Sequence, residues 1–567
     1  MNYEGYDQLK ESTRLDQHHS VNLFATYEKK INEHNLKVTA GYNYELQKYK
    51  NNSTLRQNLL SEDLNQIDLG TGVQQAGGNA SEWALLGYFG RINYDYQGKY
   101  LLELDGRYDG TSRFPSKSRF GFFPSVSAGW RISEEKFFQS LKPAVSEFKF
   151  RASYGTLGNQ DVGTGNSNLY PYIPVINSAL SKWVVDGNQV QTLSAPNPVV
   201  PDFTWEKSTS LNLGADMGFF NDRLQASFDW YDRKTTNMLI NGKTLPSVFG
   251  AASPKQNAGD LQTKGWDLSI NWRDKGKLFD KPFGYNFGIV LSDYKAKITK
   301  FDNPNNLLNN FYVGQQLGEI WGYSIDGYFK SDEEAKNWKI NQDYVDGQRT
   351  GSPGEWSQLH AGDLKFKDTN GDGVINDGKN TLSDHGDLRK IGNSLPRYSF
   401  GINAGFNWGN FDVALFFQGI GKQNWYPNTE AGMFWGTLGR PYSSFIPKDY
   451  ESKLWTPQNP NSYFPLNRGY AAYSGGELYY NNDKYLQDLA YIRLKNATIG
   501  YNLPTSLIRK IKLEKLRVYF TGQNLFTFTK LKSKYIDPEQ ITPDGADVGG
   551  RAYPFMKTYT LGLDVTF

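Results

Sequence analysis

The 567-residue chain contains no cysteine. Disulfides, thiolate nucleophiles and zinc–thiolate sites are therefore excluded, although an oxidising compartment is not. Histidines occur only at positions 18, 19, 34, 360 and 385. The adjacent pair, His18 and His19, would point to opposite faces of a strand, a poor geometry for shared chelation. No apolar run approaches the ~18 residues of a membrane helix. Net charge is only +3, with basic residues scattered along the chain, so no nucleic-acid footprint is present. No Ser-His-Asp order, paired-glutamate signature or HExxH motif stands out. The glycine-rich "GTG" at 70–72 lacks the strand-to-helix context of a phosphate loop. These absences point away from an enzyme. The opening "MNYEGYDQLKESTRLDQHHS" has no apolar core of a signal peptide, so an exported form would need more chain than this.

What is abundant is aromatic residues (15%) and glycine (57 residues), a mixture that favours strands and tight turns. The closing "TYTLGLDVTF" alternates: Tyr559, Leu561, Leu563, Val565 and Phe567 on one face, Thr558, Thr560, Gly562, Asp564 and Thr566 on the other. "RYSFGINAGFNW" places Tyr398, Phe400, Ile402, Ala404, Phe406 and Trp408 together. "KYLLELDGRYD" sets Tyr100, Leu102, Leu104 and Tyr108 against Glu103, Asp105, Arg107 and Asp109. About fifteen such segments occur, with cores near 20–29, 36–47, 83–95, 99–109, 121–132, 147–156, 204–217, 223–233, 261–273, 285–297, 397–408, 411–421, 489–502, 516–524 and 558–567.

Segment length chooses between architectures. Sandwich strands run about 5–6 residues, whereas a transmembrane barrel strand needs about 9–11, apolar toward lipid and polar toward the lumen. Aromatics gather near segment ends, at Tyr94 and Tyr96, Trp230 and Tyr231, and Trp408 and Phe411, as interfacial girdles do. Connections alternate between long (about 48–82, 110–120, 157–203, 234–260, 298–396, 422–488 and 525–557) and generally shorter, the pattern of extracellular loops and periplasmic turns. The reading is an all-β transmembrane antiparallel barrel with a periplasmic C-terminus. The mean hydropathy of −0.63 follows from polar lumen residues and long loops. A passive porin-like barrel of about 14–16 strands, or a soluble β-rich glycan-binding protein, are the alternatives.

Two loops carry candidate sites. In "DTNGDGVINDGK" (368–379), Asp368, Asn370 and Asp372 are spaced to point oxygens at one cation, Val374 would offer its carbonyl, and Asn376 could act through water. The twelfth position is Lys379 instead of a bidentate glutamate. Asp377, Asp384 or Asp387 would have to supply the missing carboxylate for Ca²⁺. The alternative is an acidic Asx-turn loop that needs no metal. Aromatics at Trp425, Tyr426, Phe434, Trp435, Tyr442 and Phe445, and at Trp321, Tyr323, Tyr328 and Phe329, could stack on sugars or grip peptide side chains. They could equally pack the loops' own cores. Charges such as Asp105, Arg107, Asp109, Asp229 and Arg397 are expected to line the lumen wall.

Several ordered stretches carry a family resemblance. They include "LGYFGRINYDYQGKYLLELDGRYDGTSRF" (86–114), "GDLKFKDTNGDGVINDG" (362–378), "YIRLKNATIGYNLP" (491–504), "LRVYFTGQNLFTFTK" (516–530) and "YPFMKTYTLGLDVTF" (553–567). They resemble the SusC/RagA branch of the TonB-dependent outer-membrane transporters of Bacteroidota. The resemblance implies a 22-stranded barrel around an N-terminal plug, of which this chain would be the C-terminal fifteen strands, with the plug and about seven strands outside it. It implies a SusD-like surface lipoprotein, coupling to the TonB complex through segments outside this chain, and an oligosaccharide or peptide substrate. Phe567 resembles the C-terminal aromatic recognised by outer-membrane assembly machinery.

Overall fold

In the computed structural model the described residues are 7–61, 63–162, 169–196, 198–242, 248, 250, 253–352, 354–429, 431–442, 445–541 and 552–567. Fifteen strands form one antiparallel sheet: β1 (Gln8–Ile31), β2 (His34–Gln57), β3 (Gln74–Tyr96), β4 (Tyr100–Thr111), β5 (Phe120–Arg131), β6 (Val145–Asn159), β7 (Glu206–Phe219), β8 (Leu224–Asn241), β9 (Lys255–Leu278), β10 (Lys281–Lys300), β11 (Arg397–Trp408), β12 (Phe411–Lys422), β13 (Tyr491–Asn502), β14 (Lys515–Thr529) and β15 (Thr558–Thr566). Each pairs with its neighbours in sequence order, a pure meander. β1 and β15 each have one edge without a strand partner among the described residues.

Each of the fifteen expected segments falls on one strand, but several strands run further. β1, β2 and β9 are 24 residues long, about 80 Å at ~3.3 Å per residue. That is roughly three times the ~25 Å apolar band of an outer-membrane barrel. In β1 and β2 the extra length lies toward the long connections, in polar sequence such as "KYKNNSTLRQ" at the end of β2, where no apolar alternation announces a strand. There the ladder continues through β1, β2 and β3 as a three-stranded extension held by backbone hydrogen bonds. β9 runs further at both ends.

The register places the two faces as the alternation requires. In β3 to β5, Tyr88, Ile92, Tyr100, Leu102, Leu104, Tyr108, Phe122, Val126 and Trp130 lie on one face, and all are exposed. Phe150, Tyr154, Phe228, Tyr285, Phe287, Ile499, Phe520, Leu561 and Leu563 are exposed along the remaining strands. An exposed apolar belt this continuous needs a covering phase, and the strand geometry matches hydrocarbon. At the short-turn end Tyr96, Tyr100 and Trp130 stack at 6.3 and 6.4 Å. Phe220 meets Trp272, Phe279 meets Trp408, and Phe411 meets Tyr501 at 4.7 Å. Tyr231 does not join this girdle: it faces the other side, where Gly265 leaves room for its ring.

The connections alternate between two ends of the sheet. One end carries 58–73, 112–119, 160–205, 242–254, 301–396, 423–490 and 530–557. The other carries turns as short as 32–33, 279–280 and 409–410, with two longer ones at 132–144 and 503–514. The connection 112–119 is shorter than either of those two, so length alone does not sort every connection. The connection 160–205 contains an added hairpin, Ser178–Val185 with Asn188–Leu193, that the alternation did not single out.

Candidate functional site

The inner face of the sheet is polar and charge-paired. Arg91 on β3 donates to Asp105 on β4 at 2.5 Å, and Arg107 donates to Asp109 at 2.8 Å. Arg151 on β6 binds Asp216 on β7 at 2.8 and 3.0 Å and also reaches Asp229 on β8 at 2.9 Å. Arg397 on β11 forks onto Asp293 on β10. Arg517 on β14 joins Asp412 on β12 at 2.6 Å to Asp564 on β15 at 3.0 Å. The two longest of these spans cross an intervening strand, and each crosses at a glycine. A Cβ on Gly214 would sit 2.5 Å from Asp229 Oδ1 and 2.9 Å from Arg151 Cζ. One on Gly500 would sit 2.5 Å from Arg517 Nε and 2.6 Å from Asp412 Oδ1. These positions need glycine for close approach. All five expected wall charges, Asp105, Arg107, Asp109, Asp229 and Arg397, are in such pairs.

Over one end of the sheet, three long connections fold into a cap with its own core. Tyr323, Tyr328, Val345, Leu364, Phe366 and Ile375 come from 301–396. Trp425, Phe434, Trp435, Tyr450, Phe464 and Tyr485 come from 423–490, and Leu531, Ile536 and Ile541 from 530–557. Short ladders brace it: Glu319–Gly322 pairs with Arg389–Asn393, and Ile325–Tyr328 with Leu364–Phe366. The amide of Tyr323 donates to the carbonyl of Asn481 at 2.8 Å, and the amide of Asp483 to Tyr323 at 3.0 Å, stitching the two larger connections together.

The structure places Trp425, Trp435 and Tyr323 of the candidate ligand-contacting aromatics inside this core, with Tyr426 packed against it. Trp435 is fully buried, and its Nε1 donates to the carbonyls of Pro427 and Asn428 at 3.1 Å. Trp425 packs edge-on to Phe434 at 6.3 Å, and Tyr323 edge-on to Phe366 at 5.9 Å. The Tyr426 hydroxyl accepts from Asn482 at 2.7 Å and donates to Leu478 at 2.9 Å. Burial pushes the Tyr323 and Tyr426 hydroxyls far above the usual phenol range. Trp425, Trp435 and Tyr323 are buried, and Tyr426 is partly buried against them. Their apolar area is spent on the cap's own core. Trp321 is half-buried, with Lys390 Nζ 5.4 Å over its ring and His385 beside it at 5.4 Å. Tyr442, at 90% exposure, is the freest aromatic of the group.

The 368–379 loop is closed by its own side chains. Asp368 accepts from the amides of Gly371 and Gly373 at 2.6 and 2.9 Å, and these bonds hold its carboxyl below the usual range. Asp372 accepts from Val374 at 2.8 Å and from the Asn370 amide group at 2.9 Å; Asn376 accepts from Gly378 at 2.6 Å. Of the three possible supplementary carboxylates, Asp387 clasps the loop. It is fully buried, and its oxygens accept from Thr369 at 2.7 Å and Asn376 at 3.1 Å. Asp384 instead faces Lys379 at 3.8 Å. Among the described residues no three acidic or histidine side chains converge here, so any cation would be held largely by neutral oxygens.

With the wall and cap in view, comparison with known proteins is decisive. The family model described as TonB dependent receptor-like, beta-barrel, matches residues 2–525. The chain belongs to the TonB-dependent receptor β-barrel family. It is 29% identical over 573 residues to TonB-dependent receptor P3 of Formosa agariphila, covering 96% of this chain and 52% of that protein. It is 26% identical over 503 residues to TonB-dependent receptor SusC of Bacteroides thetaiotaomicron, covering 86% of this chain and 44% of that one. In fold it is similar to the RagAB peptide transporter, with a TM-score of 0.77 at 24% identity over 98% of this chain and 56% of that one. The chain thus spans about half the length of the curated relatives it matches.

For this receptor barrel, sequence reasoning missed the acidic cluster of Asp346, Asp363 and Glu477. Asp346 and Asp363 come from one connection and Glu477 from another, more than a hundred positions on, and they share no motif spacing.

Proposed function

We propose that this chain forms wall and cap of an energy-coupled outer-membrane importer of the SusC/RagA kind, taking up oligosaccharides or peptides. The observation that carries the reading is the combination of an apolar outer belt, a charge-paired inner wall and a folded cap at one end of a single sheet. The outer belt faces lipid, the short turns and C-terminus lie in the periplasm, and the cap faces the exterior. The two unpaired sheet edges are closed by further strands, which the half-length coverage of its relatives supports, and energy is coupled through a plug and TonB-contacting segment. Because the wall charges are already satisfied by one another, hydrophilic oligomers pass without a deep electrostatic trap. A SusD-like lipoprotein docks on the cap side and delivers the substrate. The similarity to a RagAB peptide transporter favours peptides, and the family resemblance read from the sequence keeps oligosaccharides beside them.

We further assign the 368–376 loop as a weak structural Ca²⁺ site. Asp368, Asn370, Asp372, Asn376 and the Val374 carbonyl would hold the ion, an all-oxygen set suited to a hard cation, with affinity toward the ~10⁻⁴–10⁻³ M of extracellular modules.

The importer reading is tested by uptake. Cells lacking the protein are expected to lose entry of labelled oligosaccharides or labelled peptides above porin size, and a lipoprotein is expected to co-purify with it. Unchanged uptake of both classes would contradict the reading.

A further inference from the structure

Three carboxylates meet inside the cap. Asp346 and Asp363 come from 301–396 and Glu477 from 423–490, and all three are buried. Two guanidiniums face them. Arg349 donates to Asp346 at 3.0 Å, Asp343 at 2.7 Å and the Ser357 carbonyl at 2.6 Å. Arg468 donates to Asp363 Oδ2 at 2.8 Å and to the carbonyls of Trp356 and Gln358 at 3.3 Å. Among the described residues Glu477 has no ion-pair partner; its Oε2 accepts from the amide of Leu364 at 3.0 Å. Glu477 Oε1 and Asp363 Oδ1 are buried without a donor among the described residues. The other titratable groups around the cluster are committed elsewhere. The Tyr328 hydroxyl donates to the Tyr463 carbonyl at 2.6 Å and lies 3.0 Å from that of Tyr485. Tyr426 bonds Leu478. The amide of His360 donates to Asp363 at 2.8 Å while its ring lies 3.4 Å from Asp332.

The cluster sets three buried acids against two bases that are each already shared. A carboxylate left charged and unpaired in such a place is strongly disfavoured, and the usual relief is to take up a proton. We propose that Glu477 is protonated at neutral pH, and that this proton latches the 423–490 half of the cap onto the 301–396 half. The proton removes the third negative charge and brings a donor to a cluster that has two acceptors to spare. It acts at the seam, because Glu477 on one connection is bonded to the backbone of Leu364 on the other. Burial, then repulsion from Asp363 and Asp346, pushes the Glu477 carboxyl well above its ordinary value. Burial pushes Asp363 up to about 6.

The direction of the pH effect follows. A carboxyl whose folded value lies above its unfolded one gives stability that is complete below the unfolded value of 4.5 and is lost as pH rises through the folded value. The seam therefore loosens in alkaline medium, making the cap a lid whose grip depends on external pH.

The test uses the purified protein in detergent, as wild type and Glu477→Gln. The infrared carbonyl band of a neutral carboxylic acid is expected in the wild type at pH 7, diminished in the variant, and lost from the wild type on alkaline titration. Proteolysis within the cap is expected to quicken at least about tenfold in the wild type between pH 6 and pH 9, a tenfold change per pKa unit of linkage. In Glu477→Gln the change should be several-fold smaller, what remains coming from Asp363. No variant-sensitive band at pH 7, or the same pH dependence in both proteins, would overturn the latch. If the variant does not assemble, the wild type alone decides: a band and a cleavage rate that stay flat with pH overturn it.

Discussion

Arg151 on β6 reaches past its neighbouring strand to hold Asp229 on β8 at 2.9 Å, passing over Gly214. Three strands are tied by one guanidinium, and the tie exists because the middle strand presents no side chain at that point. Arg517 repeats the device over Gly500 and extends it to Asp564, fixing the last strand to the rest of the wall.

Filling the window should break the tie. Gly214→Val is expected to destabilise the folded barrel by about 1–3 kcal/mol, the range for forcing extra atoms into a packed site. Gly276→Ala is the control, since a Cβ there meets nothing within 4 Å. Heat-modifiable mobility of the assembled protein reports both. Equal behaviour of the two variants would contradict the role given to Gly214.

A charge on the outer face should be costly where the same charge on the inner face is not. Leu563→Arg is expected to cost up to about 2–4 kcal/mol, depending on depth in the bilayer. Thr560→Arg, on the wall side of the same strand, should assemble near wild-type levels. The measurement is the amount of folded protein in the outer membrane.

The cap core and the cap surface should separate cleanly. Trp435→Ala is expected to cost about 3–5 kcal/mol of cap stability, as for other buried Trp truncations, seen as rapid proteolysis within 423–490 while the barrel survives. Tyr442→Ala should leave cap stability unchanged. Any effect of Tyr442→Ala on substrate uptake would mark that exposed ring as a contact.

Calcium should act on the cap, weakly. Titration calorimetry is expected to show binding in the range of about 0.1–1 mM, and Ca²⁺ should raise the thermal midpoint of the cap. Asp368→Asn should remove the heat. No heat in the wild type and no effect of a chelator would leave the loop as a self-closed Asx turn.

The strands were legible because lipid on one side and water on the other impose a period of two. "TYTLGLDVTF" shows it to the last residue. The same physics explains where reading stopped. Beyond the belt one face of β2 is exposed and the other only half-buried among polar neighbours, so "KYKNNSTLRQ" needs no apolar period although its backbone still pairs. The cap was legible only as a collection of aromatics. Trp435 is core through Phe464 and Tyr485, and Tyr323 through Tyr480, contacts between residues about 30 to 160 positions apart, and neither spacing nor composition distinguishes such a core from a ligand-binding surface. Tyr231 misled for a related reason: an aromatic near a strand end reads as a girdle residue until the register shows which way it points.

The absence of cysteine makes the central claim directly measurable. Single cysteines at Leu104 and Leu563 on the belt, and at Asp105 and Thr560 on the wall, can be placed in the protein in native outer membranes and probed with a water-soluble maleimide. The expected result is labelling at 105 and 560 and protection at 104 and 563, with protection lost on unfolding in denaturant. Equal labelling at all four positions would contradict a sheet that faces lipid on one side and water on the other.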